Sequence, residues 1–170
     1  IRSTFAPDAP GTRIGFDAPA ALSPSGVIGF AGRRPVSMLR VIFPENVEED
    51  AFLKVRACLR GRRIEIFHSS CGAEGLCLLL SAGAEPDALH AAAEQLREQL
   101  PGARVKLREN LAVLLALCRS TKEIPKLSAA IEASGAPVHH LVQTPPGAFF
   151  CVNDSQYETA LRAAYGAAFG

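Results

Sequence analysis

The sequence predicts an α+β fold built from two copies of one β-α-β-β-α-β module, each a four-stranded antiparallel sheet with two helices on one face. Two observations predict it. The order of strand-like and helix-like patterns from Val36 to Arg108 is repeated, less its last strand, from Leu111 to Tyr165. Between the copies, Arg104–Cys118 changes from alternating apolar and polar residues to a continuous apolar run. This change marks a half-buried strand followed by a fully buried one, joined at Glu109-Asn110.

Composition places the chain among ordinary soluble globular proteins, with 48% hydrophobic and 21% charged residues over 170 positions. A net charge of +1 provides no field for nucleic acid or an acidic membrane surface, and no apolar run approaches the roughly 20 residues of a membrane span. The five cysteines lack zinc-binding spacing and are interpreted as reduced thiols of a cytoplasmic protein. Because the chain begins with Ile1, we expect it to be a fragment of a longer protein.

The first module is predicted between Val36 and Arg108. Asn46 is the candidate N-cap of an amphipathic helix over Val47–Arg60, and Pro86 opens a second helix that ends before Pro101. Ser69–Glu74 is interpreted as a turn. Strands are predicted from β-branched, alternating or continuous apolar runs at Val36–Phe43, Ile64–His68, Leu76–Leu80 and Ala103–Arg108.

The second module repeats this order but lacks a final strand. A helix is predicted from about Pro125 to Gly135, and Asp154 caps a last helix whose inward residues are Tyr157, Leu161 and Tyr165. Strands are predicted at Leu111–Cys118, Val138–Val142 and Ala148–Val152. A spare strand near the start, Val27–Phe30, is predicted to cross over and complete the second sheet.

Three segments resemble the regulatory region of aspartate kinases. Ile1–Ile14 (Ile-Arg-Ser-Thr-Phe-Ala-Pro-Asp-Ala-Pro-Gly-Thr-Arg-Ile) resembles the run that leads out of that family's catalytic domain. Val105–Val113 resembles the linker into its second ACT domain, and Ala160–Phe169, with Gln143 before it, resembles the end of that domain. The resemblance implies two ferredoxin-like ACT domains: a linker at 1–25, a first domain at 36–109, and a second made of 26–35 plus 110–170.

The same resemblance implies a function in feedback regulation. Such regions sense an end-product amino acid, such as lysine or threonine, inhibit the kinase allosterically and pair as a homodimer. ATP and Mg belong to the kinase domain, which is absent here, so we expect no catalytic residue, metal or cofactor in this fragment. His139 and His140 are adjacent on a predicted strand and face opposite sides, so they cannot share one metal ion.

The resemblance places an effector site between the first ACT domains of two chains, formed by Phe43–Phe52 and Phe67–Cys71. Backbone N–H groups at a helix start suit the carboxylate of an amino acid, and an acidic group suits its ammonium. Asp50, however, stands where the family has Gly, and Phe67 stands where a lysine sensor carries a carboxylate. The candidate effector-binding residues are Pro44, Glu45, Asn46, Asp50, Phe52, Phe67, His68, Ser69 and Ser70.

Three interpretations remain open from the sequence. The chain is an effector-binding regulatory region, an ACT pair that dimerises and binds no small molecule, or an amino-acid-binding module that serves another attached enzyme. The acidic residues at the first helix start either complement the helix dipole or recognise an effector ammonium.

Overall fold

The computed structural model describes residues 26–44, 50–72, 75–81, 85–144 and 147–170. These residues form six strands, four α-helices and two short 3-10 helices, at Thr121–Glu123 and Asp154–Gln156. The strands are β1 (Val27–Ile42), β2 (Ile66–Gly72), β3 (Gly75–Ser81), β4 (Arg104–Cys118), β5 (His140–Thr144) and β6 (Gly147–Asn153). The helices are α1 (Ala51–Gly61), α2 (Pro86–Gln99), α3 (Ile124–Ala133) and α4 (Tyr157–Phe169).

All six strands belong to one antiparallel sheet with the order β2-β3-β1-β4-β6-β5. Its centre is formed by the two long strands β1 and β4, which pair along their whole length, from Val27 opposite Cys118 to Ile42 opposite Arg104. The pairing of β1 with β3 is confined to the second half of β1, and the pairing of β4 with β6 is confined to the second half of β4. Each long strand therefore serves both halves of the chain.

The sequence-predicted joint at Glu109-Asn110 is a bulge inside one continuous strand. Between the pairs Met38–Arg108 and Val36–Leu111, β4 advances by one residue more than β1. Asn110 takes a positive φ of 55° there, a conformation that asparagine tolerates better than most residues. β1 has its own register shift between Arg33 and Val36. Bulges bend a strand and increase its twist, so the sheet changes direction at this point.

The predicted α+β class is confirmed, but the expected four-stranded sheets are not separate. The structure has one six-stranded sheet because β1 and β4 run through both halves. Val27–Phe30 pairs with the strand after the bulge, as predicted, and continues without interruption into the rest of β1. The ACT assignment of each half and the domain boundaries stay predictions.

Three apolar clusters hold the sheet and helices together. The first lies under α1 and α2 and is centred on Leu39, Leu59, Leu78 and Leu96. The second lies under α3 and α4 and is centred on Leu114, Leu127, Ile131 and Phe150. The third, here called the inner cluster, lies on the opposite face of the sheet and comprises Val36, Met38, Cys77, Leu79, Leu111, Val113 and Cys151, with Phe67 and Phe149 against it.

The inner cluster is enclosed because the sheet curls around it. β2 and β5 are the two outermost strands in the sheet order, yet Ser70 Oγ lies 3.2 Å from His140 Nε2. The ring centroids of His68 and Phe149 are 4.8 Å apart. The two halves of the sheet therefore face one another across the inner cluster, and Leu79 and Leu111 are fully buried on the face opposite the four described helices.

Three local predictions are wrong. Asp154 does not cap the last helix: Gln156 precedes α4, and the carboxylate of Asp154 accepts a hydrogen bond from Arg34. Ser69 and Ser70 belong to β2 rather than to a turn, because the pairing of β2 with β3 continues as far as Gly72. Tyr165 is 57% exposed rather than inward. The buried residues of α4 are the small alanines Ala160, Ala164 and Ala168, which let this helix pack closely. The predicted N-cap at Asn46 lies outside the described residues.

Candidate functional site

The residues predicted at the start of the first helix are exposed where the structure describes them. Pro44 follows β1, and Asp50 precedes α1 without forming a side-chain cap. Phe52 is 37% exposed on the first turn of α1, and Leu53 beside it is 62% exposed. The predicted residues Glu45 and Asn46 lie outside the described ranges.

The residues predicted on the second strand lie mostly on the other face of the sheet. Phe67 packs against the inner cluster, and the guanidinium of Arg33 lies 4.7 Å from its ring centroid. His68 and Ser70 lie opposite Leu79 and Cys77, which belong to the inner cluster. Only Ser69 pairs with a residue of the helix-covered face, Leu78.

The predicted effector residues are therefore divided between two surfaces of one chain. Pro44, Asp50, Phe52 and Ser69 lie on the side of α1, whereas Phe67, His68 and Ser70 face the second half of the chain. Binding of an effector by these nine residues stays a prediction.

A cleft of about 440 Å³ lies where the two edges of the curled sheet meet, and we call it the junction cleft. Its polar lining includes Arg40, Ser70 and His140, at the end of β1, in β2 and at the start of β5. Ser70 Oγ donates to the carbonyl of Cys77 over 3.4 Å, so His140 Nε2–H is the donor towards Ser70. At Gly75 a Cβ would lie 2.1 Å from the carbonyl oxygen of Val41, so glycine is required for this close approach.

Burial shifts the pKa values of two histidines and two thiols around the junction cleft towards the neutral forms. Burial lowers the pKa of His140, and the positive charges of Arg40 and of protonated His68 lower it further. Burial also lowers the pKa of His68, whose Nε2 has no hydrogen-bond partner among the described residues. Burial raises the pKa of Cys77 to about 11, against the opposing effect of Arg40, and burial raises the pKa of Cys151 to about 12.

These protonation states suit binding rather than nucleophilic chemistry. A protonated thiol is a poor nucleophile, so Cys77 and Cys151 act as buried apolar groups. Arg40 is the permanent charge in the lining, beside the hydroxyl and imidazole of Ser70 and His140. Such a set suits the carboxylate of a small ligand. Within the described ranges, no group of three or more His, Cys, Asp or Glu side chains is arranged to hold a metal ion.

Sequence reasoning did not identify Arg40 or His140 as lining residues of one cleft. Ser70 and His140 are separated by 70 positions, and only the curl of the sheet brings them together. The one available signal was the alternation of β1, which places Arg40 on the same face as Met38. His139 and His140 do diverge: His139 bonds to Arg108 and Asn153, whereas His140 faces Ser70.

Similar proteins were found among solved structures. No protein-family model and no curated protein matches the sequence. The aspartate kinase of Clostridium acetobutylicum superposes with a TM-score of 0.81 and 18% identity, over 98% of this chain and 40% of that enzyme. The regulatory subunit of aspartate kinase from Thermus flavus superposes with a TM-score of 0.69 and 21% identity, over 84% of this chain and 98% of that subunit.

The chain has the fold of an aspartate kinase regulatory region. The sequence resemblance to that region is thereby confirmed for the fold. Escherichia coli aspartokinase III in complex with lysine and aspartate is a further match, with a TM-score of 0.65 and 15% identity over 85% of this chain and 34% of that enzyme. The chain spans less than half of either complete kinase. In the described part of this regulatory-region fold, no helix has the length and apolar character needed to span a membrane.

Proposed function

We propose that this chain is the regulatory part of an aspartate kinase in aspartate-family amino-acid biosynthesis, and that it senses an end-product amino acid such as lysine or threonine. The observation that carries the proposal is the match of its fold to almost the whole length of an isolated aspartate kinase regulatory subunit. The lysine complex of the Escherichia coli enzyme supports an amino-acid ligand. ATP and Mg would be bound by a kinase domain, and no residue of this chain is assigned to them.

The proposed sensor acts as a homodimer in the cytoplasm, with its effector between two copies. No described strand is hydrogen-bonded to the outer edge of β2, and its residues Ile66–Gly72 include no Lys, Arg, Asp or Glu. An uncharged edge strand is a template for pairing with a second chain. The exposed side chains of Phe52 and Leu53 on α1 add apolar surface for burial. A second copy at this edge would also place Ser69 beside the partner chain.

The mechanism follows from a preference of the effector for one arrangement of the paired sheets. A ligand shifts an equilibrium only by its difference in affinity for the two states. Binding between two copies would favour one relative orientation, and β1 and β4 would transmit it because they run through both halves. The coupling is reciprocal, so a kinase substrate would change the effector affinity by the same factor.

A dimerisation scaffold without a ligand is the second candidate. The observation that favours it is the division of the predicted site, with Phe67, His68 and Ser70 already engaged with other parts of the same chain. A binding module for another attached enzyme is the third reading, and the full-length sequence decides it by the presence or absence of a kinase motif upstream.

Calorimetry of the chain with lysine, threonine and methionine separates the first two candidates. Saturable heat with one of them supports the sensor, whereas no heat with all three supports the scaffold. Sedimentation equilibrium tests the dimer independently. Leu53→Glu is expected to weaken self-association at least tenfold, since it places a charge in the proposed interface. Ile28→Glu is the matched control, because Ile28 is 57% exposed at the opposite end of β1.

A further inference from the structure

A second groove, of about 660 Å³, runs along the first half of β4, and we call it the basic groove. β6 pairs with β4 only from Leu111 onward, so the preceding residues of β4 have no strand on that side within the described structure. Arg97 from α2 reaches this edge and donates to the carbonyl of Val105 over 3.1 Å. The lining includes the cations Arg40, Arg97, Lys106 and Arg108, together with His139.

The positive charge of the basic groove is not balanced by acidic side chains of the described residues. Four of the 18 lysines and arginines line it, in a chain whose net charge is only +1. No aspartate or glutamate of the described residues lines it. Arg97 has an exposed carboxylate neighbour, Glu94, on its own helix. For Arg40, Lys106 and Arg108, no carboxylate of the described residues lies within 4.0 Å. Among the described residues, the groove therefore has a positive potential without a carboxylate in its lining.

Two of these cations are direct neighbours on adjacent strands. Arg40 and Lys106 are register partners on β1 and β4 and so project from the same face. Like charges in this position destabilise a sheet. Folding stability therefore does not explain the arrangement, whereas an anion between the two side chains would turn their repulsion into attraction.

A chain of hydrogen bonds holds a third cation in place. An arginine can only donate, so Arg108 donates to His139 Nδ1 over 2.6 Å, and His139 Nε2–H donates to Asn153 Oδ1 over 2.8 Å. Asn153 then donates to Gln156 Oε1, and Gln156 donates to the carbonyl of Gly135, each over 2.6 Å. Every donor in this series meets an acceptor, so the orientation of Arg108 is set by residues of the second half of the chain.

We propose that the basic groove binds a small molecule that carries two or more phosphate or carboxylate groups. Guanidinium groups bind both kinds of anion with paired hydrogen bonds. The volume of the groove lies within the ~300–1,000 Å³ that small-molecule sites occupy. Met38, Leu107 and Val138 also line it and provide an apolar surface for the uncharged part of such a ligand. This site differs from the effector site proposed above in position and in the charge of its ligand.

Calorimetry of the full chain at low ionic strength, with pyrophosphate, citrate and ATP as separate probes, tests the proposal. At least one probe is expected to bind with an affinity that falls as salt is added. Arg40→Gln, Lys106→Gln and Arg108→Gln are each expected to weaken that binding about tenfold, the usual effect of losing a charge-assisted hydrogen bond. Arg162→Gln, at an exposed position of α4, is the matched control and is expected to bind like the parent chain.

The three probes distinguish the sources of the anionic groups. Tighter binding of ATP than of pyrophosphate supports a nucleotide that uses the apolar surface, equal binding supports a simple phosphate compound, and preference for citrate supports a polycarboxylate. Failure of all three probes overturns the proposal. An equal loss in Arg162→Gln indicates an adventitious ion only and also overturns it.

The stability of Lys106→Gln separates a binding role from simple protection of the strand edge. If the groove exists to bind an anion, this substitution removes a like-charge repulsion and the free chain keeps or gains stability. Aggregation of the variant, with unchanged anion affinity, would assign Lys106 to edge protection and refute the binding site. Lysine, threonine and methionine each carry one carboxylate rather than the two or more anionic groups that this site requires. Binding of an anion here and binding of an amino-acid effector are therefore tested separately.

Discussion

Leu79→Ala tests whether the inner cluster joins the two halves of the chain. Leu79 is fully buried on the helix-free face of β3 and belongs to the same cluster as Leu111 and Val113 from the second half. The helices do not cover this cluster, because the sheet itself closes around it. Truncation of Leu79 therefore opens a cavity between the halves rather than at an exposed surface.

The expected cost follows from burial and from the atoms removed. The substitution removes three carbons, worth about 2.4 kcal/mol at roughly 0.8 kcal/mol for each buried carbon. The cavity that remains adds about 1 kcal/mol, which brings the total to about 3.4 kcal/mol, within the range measured for buried leucines. For a chain of this size that corresponds to a decrease in melting temperature of about 7–14 °C.

Urea denaturation followed by far-UV circular dichroism measures this effect, with Ile28→Ala as the matched control. Ile28 is 57% exposed on β1 and lies outside the proposed dimer interface, so its truncation is expected to change the free energy of unfolding by less than about 1 kcal/mol. Because β1 and β4 cross both halves, one transition is expected, shifted as a whole by Leu79→Ala. A loss below about 1 kcal/mol, or two transitions of which only one moves, would refute the curled sheet.

Three further outcomes are expected. Gly147→Ala should lower the free energy of unfolding by about 1–3 kcal/mol in urea titration, because its Cβ would lie 1.8 Å from the carbonyl oxygen of Ala116; a change within experimental error would contradict that contact. Burial lowers the pKa of His140, so the unfolded chain takes up a proton at this residue before the folded chain does as the pH falls below 6.5. The contribution of neutral His140 to stability is therefore complete above pH 6.5 and decreases below it. Thermal melts should show a melting temperature that falls below pH 6.5, and falls less steeply in His140→Gln. Iodoacetamide at neutral pH should label the exposed Cys71 and spare Cys77, whose pKa burial raises to about 11; equal labelling by mass spectrometry would disprove that burial.

Local patterns in the sequence were sufficient for the order of elements but not for the continuity of the sheet. The alternation at Val105 and Leu107 and the apolar run after Asn110 each predicted a strand, and both strands are present. Whether they were one strand or two depended on the backbone conformation of Asn110, which composition does not encode. The last helix shows a related limit, since large side chains dominate a hydrophobic pattern. The close packing of α4 instead uses alanines and leaves Tyr165 exposed.

The candidate sites depended still more on tertiary structure. Family resemblance indicated the β2 segment, but Phe67 and His68 turn towards the second half of the chain because the sheet curls, which no short-range pattern reveals. The basic groove combines cations from β1, α2 and β4 with His139. Each of these looks like an ordinary solvated charge in the sequence, and only the register of Arg40 with Lys106 makes them a cluster.

The crossing of β1 also limits how this unit can be recombined with other proteins. Its first half completes the sheet of the residues after Asn110, while its second half completes the sheet of the residues before it. A gene cut at the bulge would leave the first half of β1 without its partner in β4, and would remove a neighbouring strand and part of the apolar cover from the second half. Recombination with another protein would therefore have to transfer both halves together to keep these strand pairings intact.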